Sequence, residues 1–279
     1  STEDGSGYST AIGYQALKDQ VGGTTASDNT AVGYQAALDI TTGLKNVALG
    51  SYALGNSLLP DSCVAIGYLA AGTGVLTAAA DGTVAIGDSA LTALTSGAGN
   101  LAIGYQAGLN LTTNAGNTYV GYESGVSAGG NVHHYNTGVG QKALKAVTTG
   151  SSNTAMGRTA GDALLTGSEN VFVGRDSGGT STDVDSSVII GMNAGFSDMT
   201  AAADGTVAVG HSALNALTSG IGNVAVGFQA GMAATDNSRN TVMGHGAYRY
   251  STSSDDNVVV GFNALRNAGS ANAGSNKNI

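Results

Sequence analysis

The sequence has little of what ordinary globular domains use to build a core. Its 279 residues include one proline, one cysteine and no tryptophan; aromatic residues make up 5% and charged residues 10%. A typical soluble domain carries about 25% charged residues, so a compact domain with long solvated helices is not expected. The single cysteine, Cys63, excludes an internal disulfide, and no Cys/His cluster indicates structural zinc. We therefore expect neither a metal nor a cofactor.

Positive charge is also scarce. Ten Lys and Arg residues stand against nineteen Asp and Glu residues, giving a net charge of −9 at pH 7. This balance repels a phosphate backbone, so nucleic acid is not an expected partner. Residues 62–80 carry no charge, but glycine and threonine interrupt them, and we expect no membrane insertion. Because the chain begins at Ser1 without a signal-peptide pattern, we interpret it as a fragment or a processed product.

Glycine, in contrast, is abundant, with 45 residues arranged in a repeat. A five-residue word ending in glycine, such as NTAVG, NVALG or NTAMG, occurs fifteen times; ten of the fourteen spacings are 17 residues, two are 19 and two are 20. Glycine does not fall at every third position, which excludes collagen. The pattern predicts an all-β fold, a parallel β-roll or β-solenoid of about fifteen coils. The repeat glycines are Gly13, Gly33, Gly50, Gly67, Gly87, Gly104, Gly121, Gly140, Gly157, Gly174, Gly191, Gly210, Gly227, Gly244 and Gly261.

The three residues before each repeat glycine predict a short strand. The first and third of them, which we call the flanking columns, are Thr, Val or Leu and Ile, Val, Leu or Met. Residues two apart on a strand share a face, and β-branched residues favour strands. We therefore expect the flanking columns to face the core.

The middle residue of each strand, the central column, is predicted to point the other way. It holds nine alanines and otherwise mostly larger apolar residues. A strand that is apolar on both faces is typically covered on both, and a 17-residue unit is too short to supply a covering helix. This pattern predicts self-association through the central column, with these interface candidates: Ala31, Ala48, Ala65, Ala85, Ala102, Phe172, Ile189, Val242 and Val259.

The rest of each unit predicts a corner, a second short segment and a turn, and that segment could be a strand or a single helical turn. Residues 8–267 form one repetitive array in this interpretation, with loose ends at 1–7 and 268–279. Asparagine precedes the strand in ten copies. We expect a ladder of Asn hydrogen bonds between coils, with bound ions as the alternative.

Several surface residues are candidates for receptor binding. Aromatic residues recur directly after the repeat glycine, and they could stack on sugar rings or pack on one another. His133 and His134 lie in an insertion, where we expect a solvated loop and, as an alternative, a metal site. Asp183 and Asp185 are expected to form a turn. The tyrosine candidates are Tyr14, Tyr34, Tyr68, Tyr105 and Tyr122.

The words NTAVGYQA, NLAIGYQAG and NVAVGFQAG resemble the YadA-like head repeats of trimeric autotransporter adhesins. They are more similar to the variant in bacteriophage tail fibres, and the resemblance covers residues 9 to about 265. It implies a left-handed β-roll assembled as a homotrimeric rod.

The resemblance implies a structural and adhesive function: a tail fibre or virion appendage that binds a host glycan or protein receptor. The alternative is the head of a bacterial trimeric adhesin on the outer surface, whose gene would also encode a membrane anchor. A polysaccharide-depolymerising tailspike is the enzymatic alternative, but no carboxylate pair or nucleophile motif stands out, and we expect no enzyme. Ice binding would need an exposed threonine lattice, which we do not expect.

Overall fold

A computed structural model of the protein describes residues 8–21, 27–127, 132–252 and 254–267. The chain divides into two compact units, Ser1–Asn136 and Thr137–Ile279. Every strand is three residues long and ends directly before a repeat glycine. The predicted loose ends, 1–7 and 268–279, lie outside the described residues.

Both units are parallel β-solenoids, as the repeat predicts. Each strand pairs in parallel with its equivalent one coil later, so that Ala48 lies beside Ala65 and Phe172 beside Ile189. The strands of the first unit are Thr10–Ile12 (β1), Thr30–Val32 (β2), Val47–Leu49 (β3), Val64–Ile66 (β4), Val84–Ile86 (β5), Leu101–Ile103 (β6) and Thr118–Val120 (β7). Those of the second are Thr137–Val139 (β8), Thr154–Met156 (β9), Val171–Val173 (β10), Val188–Ile190 (β11), Val207–Val209 (β12), Val224–Val226 (β13), Thr241–Met243 (β14) and Val258–Val260 (β15).

The repeat glycine makes the corner at the end of each strand. Gly104 has a φ of 134°, which side chains rarely allow, and a Cβ there would lie 2.5 Å from the carbonyl oxygen of Gly121 in the next coil. Successive coils therefore approach each other too closely at this corner for any other residue.

The segment after the corner is neither strand nor helix but a series of turns. Its second and fourth residues are left-handed even where they are not glycine, as at Ser89 (φ 59°) and Leu91 (φ 48°). Their N–H groups donate to opposite neighbours, Ser89 to Tyr68 O of the preceding coil at 2.9 Å and Leu91 to Ala107 O of the following coil at 3.0 Å. The two TAAAD insertions form short 3-10 turns at Ala78–Ala80 and Ala201–Ala203.

The expected orientation of the strands was wrong. The central column faces the interior of its own unit, and the flanking columns face outward. The nine interface candidates, Ala31, Ala48, Ala65, Ala85, Ala102, Phe172, Ile189, Val242 and Val259, are between 0% and 2% exposed. The physical reason is space: the central column faces the turn segment of the same narrow coil, where small residues such as Ala90 and Ala107 are also fully buried. The bulkier β-branched residues therefore lie outside.

The predicted asparagine ladder is confirmed. Asn153 Oδ1 accepts a hydrogen bond from the Asn170 N–H at 3.0 Å, and Asn170 Oδ1 accepts one from the Ser187 N–H at 3.0 Å. The Nδ2 group of Asn170 donates to Val184 O at 2.6 Å. The buried carboxamides thus join each coil to the next, and their polar atoms are satisfied by protein groups alone.

Candidate functional site

The outward side of the strands, formed by the two flanking columns, is an apolar surface that we call the outer strand face. Neither column contains a charged residue in β1–β15. Val32, Met156 and Met243 are 36%, 48% and 45% exposed, and most of the other flanking residues are half-buried. Contiguous apolar surfaces of this kind mark interaction sites on soluble proteins. The outer strand face, rather than the central column, is therefore the surface that another molecule could cover.

The tyrosine candidates lie on the surface, directly after the corner glycines. Their exposure agrees with the expectation that this column is partly open to solvent. The relative exposures are 63% for Tyr14, 46% for Tyr34, 50% for Tyr68, 42% for Tyr105 and 46% for Tyr122.

Neighbouring tyrosines stack on one another along the column. The ring centroids of Tyr14 and Tyr34 are 5.4 Å apart with planes at 14°, and those of Tyr105 and Tyr122 are 5.2 Å apart with planes at 17°. Coils repeat at about 4.8 Å, so rings in successive coils meet face to face. Stacking covers most ring faces and leaves the edges and hydroxyl groups for a ligand. A sugar ring could stack only at the ends of such a ladder.

A second ladder, in the other unit, alternates histidine with phenylalanine. His211, Phe228, His245 and Phe262 have successive centroid distances of 5.2, 4.8 and 5.3 Å and interplanar angles of 13°, 16° and 27°. Sequence reasoning treated these residues separately. Their shared spacing of 17 residues was the signal that could have identified the ladder.

His133 is not a solvated loop residue. Its side chain is fully buried, with Nδ1 at 3.1 Å from Asn136 Nδ2 and 3.5 Å from Tyr119 Oη, and its Nε2 has no partner. Burial lowers the pKa of His133 to about 4, with a smaller contribution from neighbouring His134. A residue enclosed in this way cannot contact a receptor, so the expectation of a solvated loop here was wrong.

His134 is half-buried and has a structural hydrogen bond. Its Nδ1 accepts from the Ala115 N–H of the preceding coil at 3.0 Å. Asp185 occupies the equivalent position in another coil, where Oδ1 accepts from the Ser168 N–H at 2.6 Å. Within the described residues, no group of three or more His, Cys, Asp or Glu side chains could hold a metal ion.

The acidic pair Asp183 and Asp185 has the turn-forming role expected from the sequence. Asp183 Oδ1 accepts from the Ala201 N–H at 3.1 Å, while Asp185 serves Ser168 as described above. Asp61 and Asp255 do the same for the N–H groups of Leu44 and Ser238, at 2.7 and 2.8 Å. These carboxylates act as side-chain acceptors for backbone groups of the adjacent coil.

The fold and the surface define the class of the chain as a parallel β-solenoid protein with an apolar outer strand face. No protein-family model and no curated protein matches the sequence. In the part of the chain that the structure describes, no helix is long and apolar enough to cross a membrane.

Proposed function

We propose that this chain is a segment of a homotrimeric fibre, a phage tail fibre or related virion appendage, that presents a host-binding surface. The observation that carries the proposal is the outer strand face, which is uncharged, apolar and repeated at every coil. The resemblance of the NTAVGYQA-type units to tail-fibre repeats supports the same assignment and supplies the number of copies.

The size of the outer strand face supports its role as an interface. Seven or eight strands at about 4.8 Å, each three residues long at about 3.3 Å per residue, give roughly 300 Å² per unit. Burying that area would contribute roughly 7 kcal/mol per unit before the entropy of association is counted. A second copy is the natural cover, because identical rows of β-branched side chains repeat with the same period and mesh coil by coil.

The receptor-binding surface in this proposal is the aromatic column. The edges and hydroxyl groups of Tyr105 and Tyr122 are open to a glycan or protein receptor, since the rings are 42% and 46% exposed. We propose no catalytic activity, because the acids described above are committed to backbone N–H groups.

Sedimentation of the purified chain tests the trimer. We expect a species of about three times 27.2 kDa. Ile190→Asp together with Val207→Asp places charges on the outer strand face and should dissociate it, because both side chains point outward from β11 and β12. Ala202→Asp, on an exposed 3-10 turn, is the matched control and should leave the trimer intact.

A folded monomer of the native chain at micromolar concentration would overturn the trimer. Binding to bacterial surface polysaccharides tests the second half of the proposal. Tyr105→Ala with Tyr122→Ala should weaken binding while the sedimentation of the fibre stays unchanged.

A further inference from the structure

Two arginines at the end of the second unit occupy equivalent positions in successive coils. Arg249 and Arg266 are separated by 17 residues, one repeat. Backbone hydrogen bonds hold this part of the coils in register: the Ala233 N–H donates to Arg249 O at 3.0 Å, and the Tyr250 N–H donates to Arg266 O at 3.0 Å. Because adjacent coils are about 4.8 Å apart, the fold brings two guanidinium groups close together.

Both guanidinium groups gather around one tyrosine ring. The Cζ atom of Arg249 is 4.9 Å from the ring centroid of Tyr250, and that of Arg266 is 5.7 Å from the same centroid. Both distances fall within the range of about 6 Å over which an aromatic ring attracts a cation. Tyr250 is 43% exposed, so the cluster lies at the surface.

The protein itself does not compensate these two charges. The other arginines of the described residues have carboxylate partners: Arg158 and Arg175 lie 3.6 and 3.4 Å from Asp176, and Arg239 lies 2.6 Å from Asp256. The side chains of Arg249 and Arg266 form no ion pair or hydrogen bond with any described residue, and the Nε atoms of both are buried without a partner.

This arrangement is unfavourable unless a ligand completes it. A buried donor without an acceptor costs about 1–3 kcal/mol, and two like charges in neighbouring coils repel each other. The net charge of the chain is −9, so the pair is a local exception on an acidic protein. An oxyanion at the guanidinium groups would remove the repulsion.

We propose that Arg249, Arg266 and Tyr250 form an oxyanion-binding site that takes a carboxylate or phosphate group, such as one carried by an acidic saccharide. Guanidinium groups present their N–H donors in a planar fork that matches the oxygens of both anions. Tyr250 positions the two forks and adds an exposed ring edge and hydroxyl beside the anion. This site needs neither the trimer nor a receptor identified beforehand.

Calorimetric titration of the full chain at low ionic strength tests the site. The probes are glucuronate for the carboxylate, glucose 6-phosphate for the phosphate and glucose as the neutral control. We expect at least one of the charged sugars to bind and glucose not to bind. Arg249→Gln with Arg266→Gln should weaken the charged ligand about tenfold or more, since hydrogen bonds to charged groups contribute about 1.5–3 kcal/mol each.

The matched control is Arg158→Gln with Arg175→Gln, which removes two positive charges from the same unit and should change affinity less than about threefold. The single variants R249Q and R266Q should each give part of the loss and guard against misfolding of the double variant. Binding of glucuronate alone identifies a carboxylate site, binding of glucose 6-phosphate alone a phosphate site, and binding of both a shared oxyanion site.

No binding of either charged sugar, or equal weakening by the control pair, would overturn the site. A monomeric chain that still binds the anion would refute the fibre and leave this site standing. A trimer that binds no anion would do the reverse.

Discussion

The ring of Phe172 fills the space directly beside Gly178, six residues later in the same coil. A Cβ at residue 178 would lie 2.4 Å from Phe172 Cε1. Tyr119 and Gly125 have the same relationship in the first unit, also at 2.4 Å. A large side chain in the central column is therefore matched by a glycine on the opposite wall of the coil.

Exchanging the sizes of this pair tests the match. Phe172→Ala alone should lower the free energy of unfolding by about 3–5 kcal/mol, because it empties the interior. Gly178→Leu alone should also destabilise, because the ring occupies the space that leucine needs. The two together should recover much of the loss, since they recreate the Ala85–Leu91 pair, in which Leu91 is fully buried with a φ of 48°.

Urea unfolding of the four proteins measures this coupling. Strictly additive losses in the double variant would show that the two positions do not share one space.

A second prediction concerns the corner glycines. In Gly227→Ala the new Cβ would lie 2.5 Å from Gly244 O, a backbone atom of the next coil that cannot move alone. We expect a loss of more than about 3 kcal/mol in the free energy of unfolding. Gly222→Ala is the control: it also has a positive φ, 70°, but nothing lies within 4 Å of the new Cβ, so only about 1 kcal/mol of backbone strain is expected. Thermal unfolding compares them, and similar losses would contradict close stacking at the corner.

The sequence predicts the coils and strands well because their signals are periodic. The corner glycine and the β-branched residues before it recur at a fixed distance, which only a stacked fold explains. The direction of each strand could not be predicted in the same way. Val47 and Ala48 are both apolar, and hydrophobicity alone favours Val47 for the core, but the narrow coil selects the smaller side chain.

A third prediction concerns the asparagine ladder. Asn170→Ala should lower the free energy of unfolding by about 2–4 kcal/mol, because the Ser187 N–H loses its acceptor and Val184 O loses its donor inside the protein. Asn170→Ser should cost about half as much, since the Ser187 hydroxyl already serves as such an acceptor for the Thr206 N–H at 3.1 Å. Chemical denaturation measures both, and equal losses would show that the acceptor oxygen contributes nothing.

The candidate site was less predictable than the fold. Histidines in an insertion suggest an exposed loop, but His133 fills space beside Tyr119 that no local pattern reveals. The Arg249–Arg266 pair was visible as a 17-residue spacing, yet its lack of acidic partners depends on which carboxylates the coils bring near. Such information exists only in three dimensions.

The last prediction uses the buried His133. Its pKa is lowered to about 4 by burial, whereas an unfolded histidine titrates near 6.5. Between these values the unfolded chain binds a proton that the folded chain does not, so the free energy of unfolding falls as the pH decreases through this window. The expected loss from this residue is about 2 kcal/mol between pH 7 and pH 5.

Urea unfolding at pH 7, 6 and 5 measures this dependence. His133→Gln should flatten the profile, because a carboxamide does not titrate. His134→Gln is the control: it removes the Nδ1 acceptor of the Ala115 N–H and should lower stability at every pH without removing the slope. A native profile that is flat between pH 7 and pH 5 would mean that His133 is protonated as readily in the folded protein as in water, which its enclosure beside Tyr119 and Asn136 does not permit.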